Sequence, residues 1–147
     1  MQKKVAKALL SIGAVFFRPE EPFTWASGWK SPFYCDNRKT LSFPELRTRV
    51  KLGLASLILE EFPEADTVAG VATGAIAQGA LVAEELGKPF VYVRPKAKDH
   101  GMGNQIEGDV QPGAKVVVVE DLVSTGMSSL KAVDALRAAG VEVVGMV

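Results

Sequence analysis

Two adjacent acids, Glu120 and Asp121, follow a run of valines and precede a turn of small hydroxyl residues. The string reads Val116-Val117-Val118-Val119-Glu120-Asp121-Leu122-Val123-Ser124-Thr125-Gly126-Met127-Ser128-Ser129. An unbroken apolar run of this length is a buried strand, and open α/β sheets bind ligands beyond the carboxyl ends of their strands. The turn then enters a helix, whose first N–H groups and hydroxyls can surround a phosphate while its dipole favours negative charge. Acids beside an anion site make little sense for the anion alone. They make sense if they hold sugar hydroxyls, or Mg2+, which prefers carboxylate and water oxygens. The bland alternative is a strand-to-helix turn with two solvated acids and a serine cap, which accounts for a bare acid pair but not for the whole string. No Gly-Lys-Ser/Thr follows the first glycine, so the turn is not a Walker loop. The spaced glycines of a dinucleotide fingerprint are absent too.

Three further segments hold candidate chemistry. In Tyr92–Gly108 a strand ends at Arg94, and Lys96, Lys98 and His100 follow on a polar stretch that contains Gly101, Gly103 and Gly108. Long polar loops inside compact domains are functional or disordered. Cations on such a loop could stabilise charge developing on a leaving group, and closure would exclude water. In Gly70-Val71-Ala72-Thr73-Gly74-Ala75-Ile76-Ala77-Gln78-Gly79, small residues between a strand and a helix let backbone amides approach an anion. A tight strand–helix turn explains that segment about as well. Phe23–Arg38 is rich in aromatics, for which core packing is the default reading, but it also carries the pattern Ser27-Gly28-x-x-Ser31-Pro32-x-Tyr34-x-Asp36.

Taken together these segments resemble a known family. The Glu120–Ser128 string resembles the phosphoribosyl pyrophosphate signature of type I phosphoribosyltransferases. That resemblance implies that Glu120 and Asp121 lie at the ribose hydroxyls. It implies that Leu122, Val123, Ser124, Thr125, Gly126, Met127 and Ser128 clasp the 5′-phosphate. Tyr92–Gly108 is similar to the mobile catalytic loop of the orotate phosphoribosyltransferases, with Arg94, Lys98 and His100 in matching places and Pro95 where related enzymes often carry a lysine. Gly70–Gly79 resembles the family's pyrophosphate loop, and a lysine found there in some relatives is Gly74 here. The Ser27–Asp36 pattern is similar to the N-terminal segment of the orotate branch. Some members place a substrate-contacting lysine where this chain has Ala26, and Lys30 stands four residues later.

The resemblance covers roughly residues 5–147. It implies orotate and phosphoribosyl pyrophosphate as substrates, in pyrimidine synthesis, and a transition state like an oxocarbenium ion. Lys98, His100 and Asp121 are the implied catalytic residues, with Arg94 beside the first two on the leaving pyrophosphate and Ser124 nearest orotate. Mg2+ is the implied cofactor, held mainly through the substrate rather than by a protein metal site. A homodimer is implied, with the catalytic loop shared between subunits. Family members normally continue past residue 147, some with an arginine against the orotate carboxylate. Two rivals use the same fold. One is a transcriptional regulator that senses phosphoribosyl pyrophosphate, opposed by the lack of a basic surplus or a helix-turn-helix extension. The other is a purine phosphoribosyltransferase, opposed by the loop and the Ser27–Asp36 segment.

The rest of the chain must position these groups. Its 147 residues suit one domain with a proper core, and 48% of them are apolar. We expect residues 1–41 to form an N-terminal helix and an irregular hood, and residues 42–147 to form the α/β core. Lys plus Arg and Asp plus Glu number 17 each, so no net positive field draws the chain to nucleic acid. Cys35 is the only cysteine, which excludes a disulfide framework or a cysteine-rich zinc site within one chain and favours a reducing, cytoplasmic setting. Met1–Ala8 has lysines but no long apolar run behind them, so no signal peptide is expected. No run approaches the roughly 20 apolar residues that span a bilayer.

Val5, Leu9 and Ile12 share a helical face, with Gly13 as C-cap. Ser42 and Glu45 make a capping-box pattern, with Pro44 in the first turn, and open a long helix to about Phe62. Strands are expected at 67–71, 90–94, 115–120 and 141–147, and helices at 76–86 and 128–139. Continuous valine runs without alternation indicate a parallel sheet with helices on both faces. The chain stops within an apolar strand, from which a longer parent protein is expected.

Overall fold

The computed structural model describes residues 2–25, 27–96 and 104–147. The chain divides into two compact units, Met1–Val50 and Lys51–Val147.

In the first unit, helix α1 (Gln2–Ser11) closes at Gly13, whose φ of +65° is a left-handed value that glycine adopts without steric cost. The expected C-cap is there, with Gly13 N–H bonded to Leu10 O and Ala14 N–H to Leu9 O. The stretch without a period then forms two short antiparallel pairs, one nested in the other. Strand β1 (Val15–Phe17) pairs with β4 (Phe33–Cys35), and β2 (Phe23–Thr24) pairs with β3 (Lys30–Ser31). Strands of two or three residues are too short to show alternation, and ring contacts among Phe16, Phe23 and Tyr34 hold the pairs together. A 3-10 helix, Asn37–Ser42, follows.

Helix α2 (Pro44–Glu61) begins with Pro44 in its first turn, as expected. Its cap differs from the expected capping box. Ser42 is the last residue of the 3-10 helix, and Phe43 supplies the carbonyl that accepts the Arg47 N–H at 2.8 Å. The preceding short helix takes up Ser42, which shifts the cap by one residue.

The second unit is built on five strands. Their residues are β5 (Thr67–Val71), β6 (Phe90–Val93), β7 (Ile106–Glu107), β8 (Lys115–Val119) and β9 (Glu142–Met146), in the spatial order β7-β6-β5-β8-β9. The pairs β6–β5, β5–β8 and β8–β9 are parallel, as the valine runs predict. The edge strand β7 is antiparallel and was not expected, because Ile106–Glu107 carries no periodic signal of its own.

Helices α3 (Ile76–Leu86) and α4 (Met127–Ala138) connect the parallel strands. Residues Ala69, Val71, Val116 and Val118 pack with Ala132, Val133 and Leu136 of α4. Val68, Val117 and Val119 pack with Ala55 and Ile58 of α2 and with Val82 and Ala83 of α3. Both faces of the sheet are therefore covered. Val116, Val117 and Val118 are fully buried, each contributing about 1.5–3 kcal/mol by burial. This packing fixes the carboxyl ends of β5, β6 and β8 side by side.

Candidate active site

The alternation along β8 continues one step past the strand and gives the two acids different neighbours. Val116 and Val118 face α4, while Val117 and Val119 face α2 and α3. Glu120 follows the first set. Its Oε2 accepts a hydrogen bond from Ser129 Oγ of α4 at 3.0 Å, and its Oε1 accepts one from the Asp121 N–H at 3.1 Å. Asp121 follows the second set and meets the turn between β5 and α3. A Cβ placed on Gly74 would have Oδ1, Cγ and Oδ2 of Asp121 all within 2.6 Å. The acid pair and the Gly70–Gly79 segment, distant in sequence, thus share one end of the sheet.

Burial pushes the Glu120 carboxyl above the usual glutamate range. The hydrogen bonds from Ser129 and from the Asp121 N–H oppose that rise, and the neighbouring Asp121 charge adds to it.

Leu122, Val123, Ser124 and Thr125 form an exposed turn. It ends at Gly126, which stands at the N-cap of α4 with φ +78°. Leu130 N–H bonds to Gly126 O at 2.8 Å, while Met127 N–H reaches Thr125 Oγ1 at 3.4 Å. Met127 and Ser128 are the first helical residues, where backbone N–H groups have no intrahelical acceptor. Such a turn offers donors to an anion.

Arg94 lies just past β6, in line with the β5–α3 turn, since Ala72 N–H bonds to Val93 O. Its backbone N–H bonds to Gln105 O at 2.8 Å, and Gln105 Nε2 bonds back to Arg94 O at 3.1 Å. Its guanidinium stands 3.5 Å from Glu107 Oε1. Three parallel strands therefore bring the acid pair, the glycine-bearing turn and Arg94 to one edge. Lys98 and His100 lie outside the described residues.

The phosphoribosyl transferase domain family matches residues 48–147. The orotate phosphoribosyltransferase of Phocaeicola vulgatus is 65% identical over 147 residues, covering 100% of this chain and 69% of that protein. That of Bacillus cereus is 56% identical and is covered over 70% of its length. The chain belongs to the orotate phosphoribosyltransferases. The crystal structure of the Aeropyrum pernix orotate phosphoribosyltransferase superposes with a TM-score of 0.82 at 34% identity, over 97% of this chain and 78% of that one. An adenine phosphoribosyltransferase from Leishmania tarentolae, at 20% identity and a TM-score of 0.68, shares the fold alone.

In this orotate phosphoribosyltransferase chain the Ser27–Asp36 segment lies in the first unit. Asp36 is engaged locally, its Oδ1 accepting from Arg38 Nε at 2.8 Å and from the Arg38 N–H. The side-chain hydrogen bond from Arg38 holds the Asp36 carboxyl below its ordinary value, against burial. Trp25 Nε1 donates to Phe33 O, which ties the start of the β2–β3 loop to β4. Lys30 is exposed.

Sequence reasoning missed two residues. Ser129 is only 5% exposed and holds Glu120. Its signal was available, since Ser129 falls on the same helical face as Ala132, Val133 and Leu136. The placement of Gly74 against Asp121 had no sequence signal, because it depends on the pairing of β5 with β8.

Proposed function

We propose that the acid pair, the 122–128 turn and the Gly70–Gly79 segment bind phosphoribosyl pyrophosphate, and that the enzyme transfers its phosphoribosyl group to orotate. The bond from ribose C1 to pyrophosphate oxygen breaks, a bond from C1 to orotate N1 forms, and pyrophosphate leaves with orotidine 5′-phosphate as product. Orotate N1 is acidic enough to arrive deprotonated or nearly so, so no strong general base is needed. Glu120 and Asp121 hold the ribose hydroxyls, Leu122 to Ser128 clasp the 5′-phosphate, and Ser124 lies nearest the base. Lys98, His100 and Arg94 stabilise charge on the departing pyrophosphate.

Mg2+ would arrive with the substrate, where it would neutralise charge on the pyrophosphate, and Glu120 and Asp121 are the carboxylates that would face it. Among the described residues no three His, Cys, Asp or Glu side chains gather into a metal cluster. Two adjacent carboxylates are a donor set suited to a metal that brings its own phosphate and water ligands. The working assembly is a homodimer in which Lys98 and His100 serve the neighbouring subunit, and the compartment is the cytoplasm. No helix among the described residues is long and apolar enough to cross a membrane.

One observation carries this reading: two neighbouring carboxylates stand at the end of a buried strand, one held by Ser129 of α4 and the other against the Gly74 turn, beside a turn rich in donors. The test is a panel of orotate, uracil and adenine offered with labelled phosphoribosyl pyrophosphate and Mg2+. Labelled nucleotide should form with orotate, and Asp121→Asn should lower the rate about 10- to 100-fold, as loss of a charged hydrogen-bonding partner does. Equal transfer to adenine would sink the assignment of the base.

A further inference from the structure

Arg94, just past β6, has an acidic partner on the edge strand. Along β6, Val91 and Val93 pack with the α4 cluster, while Phe90 packs with the cluster of α2 and α3. Arg94 continues the alternation of Phe90 and Tyr92, as Asp121 continues that of Val117 and Val119. Glu107 pairs directly opposite Tyr92 on β7 and so shares their face, with its Oε1 3.5 Å from Arg94 Nη1. Both side chains are partly shielded, Arg94 at 34% exposure and Glu107 at 20%, so salt screens this pair less than one in open solvent. The contact engages one nitrogen of the guanidinium, a planar fork with five N–H donors, which leaves donors for a second anion.

We propose that Glu107 is a positioning residue for Arg94, holding the guanidinium in place before pyrophosphate begins to leave. This rests on reading Arg94 as a group that stabilises the departing pyrophosphate. An unheld arginine samples many rotamers, and ordering it during the reaction would offset part of what its charge contributes. Glu107 is itself fixed by the pairing of β7 with β6, and Gln105, just before β7, holds the Arg94 backbone. Backbone and guanidinium are thus anchored on one sheet edge by different residues. The ordering cost is met on folding, and the charge is in place when the transition state forms.

The test uses Glu107→Ala, the isosteric Glu107→Gln, Arg94→Ala and both doubles with Arg94→Ala in the full-length enzyme, each measured for Tm, kcat and the KM of both substrates. Glu107→Ala should lower kcat about tenfold, a coupling of the size that contacting residues show. The orotate KM should stay at the wild-type value, because the interaction lost belongs to charge that develops on pyrophosphate. Tm should move little, since a part-exposed ion pair contributes little to folding. On the Arg94→Ala background neither Glu107 substitution should lower kcat further, because the residue it positions is gone. A Glu107→Ala enzyme with wild-type kcat, while Arg94→Ala is impaired, overturns the proposal alone, and so do losses that multiply in the double variant. An unimpaired Arg94→Ala enzyme overturns the reading of Arg94 itself. If Glu107→Ala does not fold, Glu107→Gln decides: a loss of kcat that vanishes on the Arg94→Ala background supports the proposal, and wild-type kcat overturns it.

Discussion

Glu120 has a carboxylate whose two oxygens are held by different groups, Oε2 by a helix hydroxyl and Oε1 by the next backbone N–H. Ser129→Ala removes the hydroxyl and leaves a half-buried oxygen without its donor, which should cost about 1–2 kcal/mol in urea unfolding and lower kcat/KM. Ser129→Thr keeps the hydroxyl and should restore most of both. Equal losses from the two variants would show that packing, not the hydrogen bond, is at stake. Titration tests the same group. Burial raises the Glu120 carboxyl, so its contribution to stability is fully present below the ordinary glutamate value of about 4.3 and is lost as pH rises through the higher folded value. Glu120→Gln has no charge to bury, so its Tm should gain on wild type as pH rises from about 4.3 through the mildly acidic range, then level off. A gap that narrows with rising pH would contradict the assignment. At this scale the sequence displayed the acids and the turn as one string. It did not display which acid faces which neighbour, since that depends on the phase of β8 against α4.

Gly126 shows how an element boundary serves the site, because its φ of +78° turns the chain from the exposed 122–125 turn into α4. Gly126→Ala should destabilise the protein by about 1–2 kcal/mol, the cost of a left-handed backbone for an L-residue. Chemical denaturation would measure it, and an unchanged midpoint would mean that the turn relaxes freely. The strands and helices of the second unit were largely legible because Val116–Val119, Thr67–Val71 and Ile76–Leu86 are apolar runs bounded by turn residues. Ile106–Glu107 was not legible, since β7 exists through its pairing with Tyr92 and Val93. Ser42 misled for a local reason. Its capping pattern was real, but the 3-10 helix before it moved the cap to Phe43. The hood could be read only as irregular, because strands of two or three residues leave no period to detect.

Across the whole molecule, the proposed sharing of the loop makes a quantitative prediction. Subunits with Lys98→Ala and subunits with Asp121→Asn should each form nearly inactive homodimers. If Lys98 serves the neighbouring subunit, a mixed dimer collects both lesions in one site and none in the other. Random equal mixing should then return about a quarter of all sites to wild-type chemistry. Activity that stays at the homodimer level, with subunit exchange confirmed independently, would show that Lys98 serves its own chain. The paired hydrogen bonds between Arg94 and Gln105 bear on how such a segment can change in evolution. They hold the two strand ends together through groups outside residues 95–104, so that segment can change in sequence without taking these bonds with it. Selection on the residues of this segment is thus separated from selection on the pairing of β6 with β7.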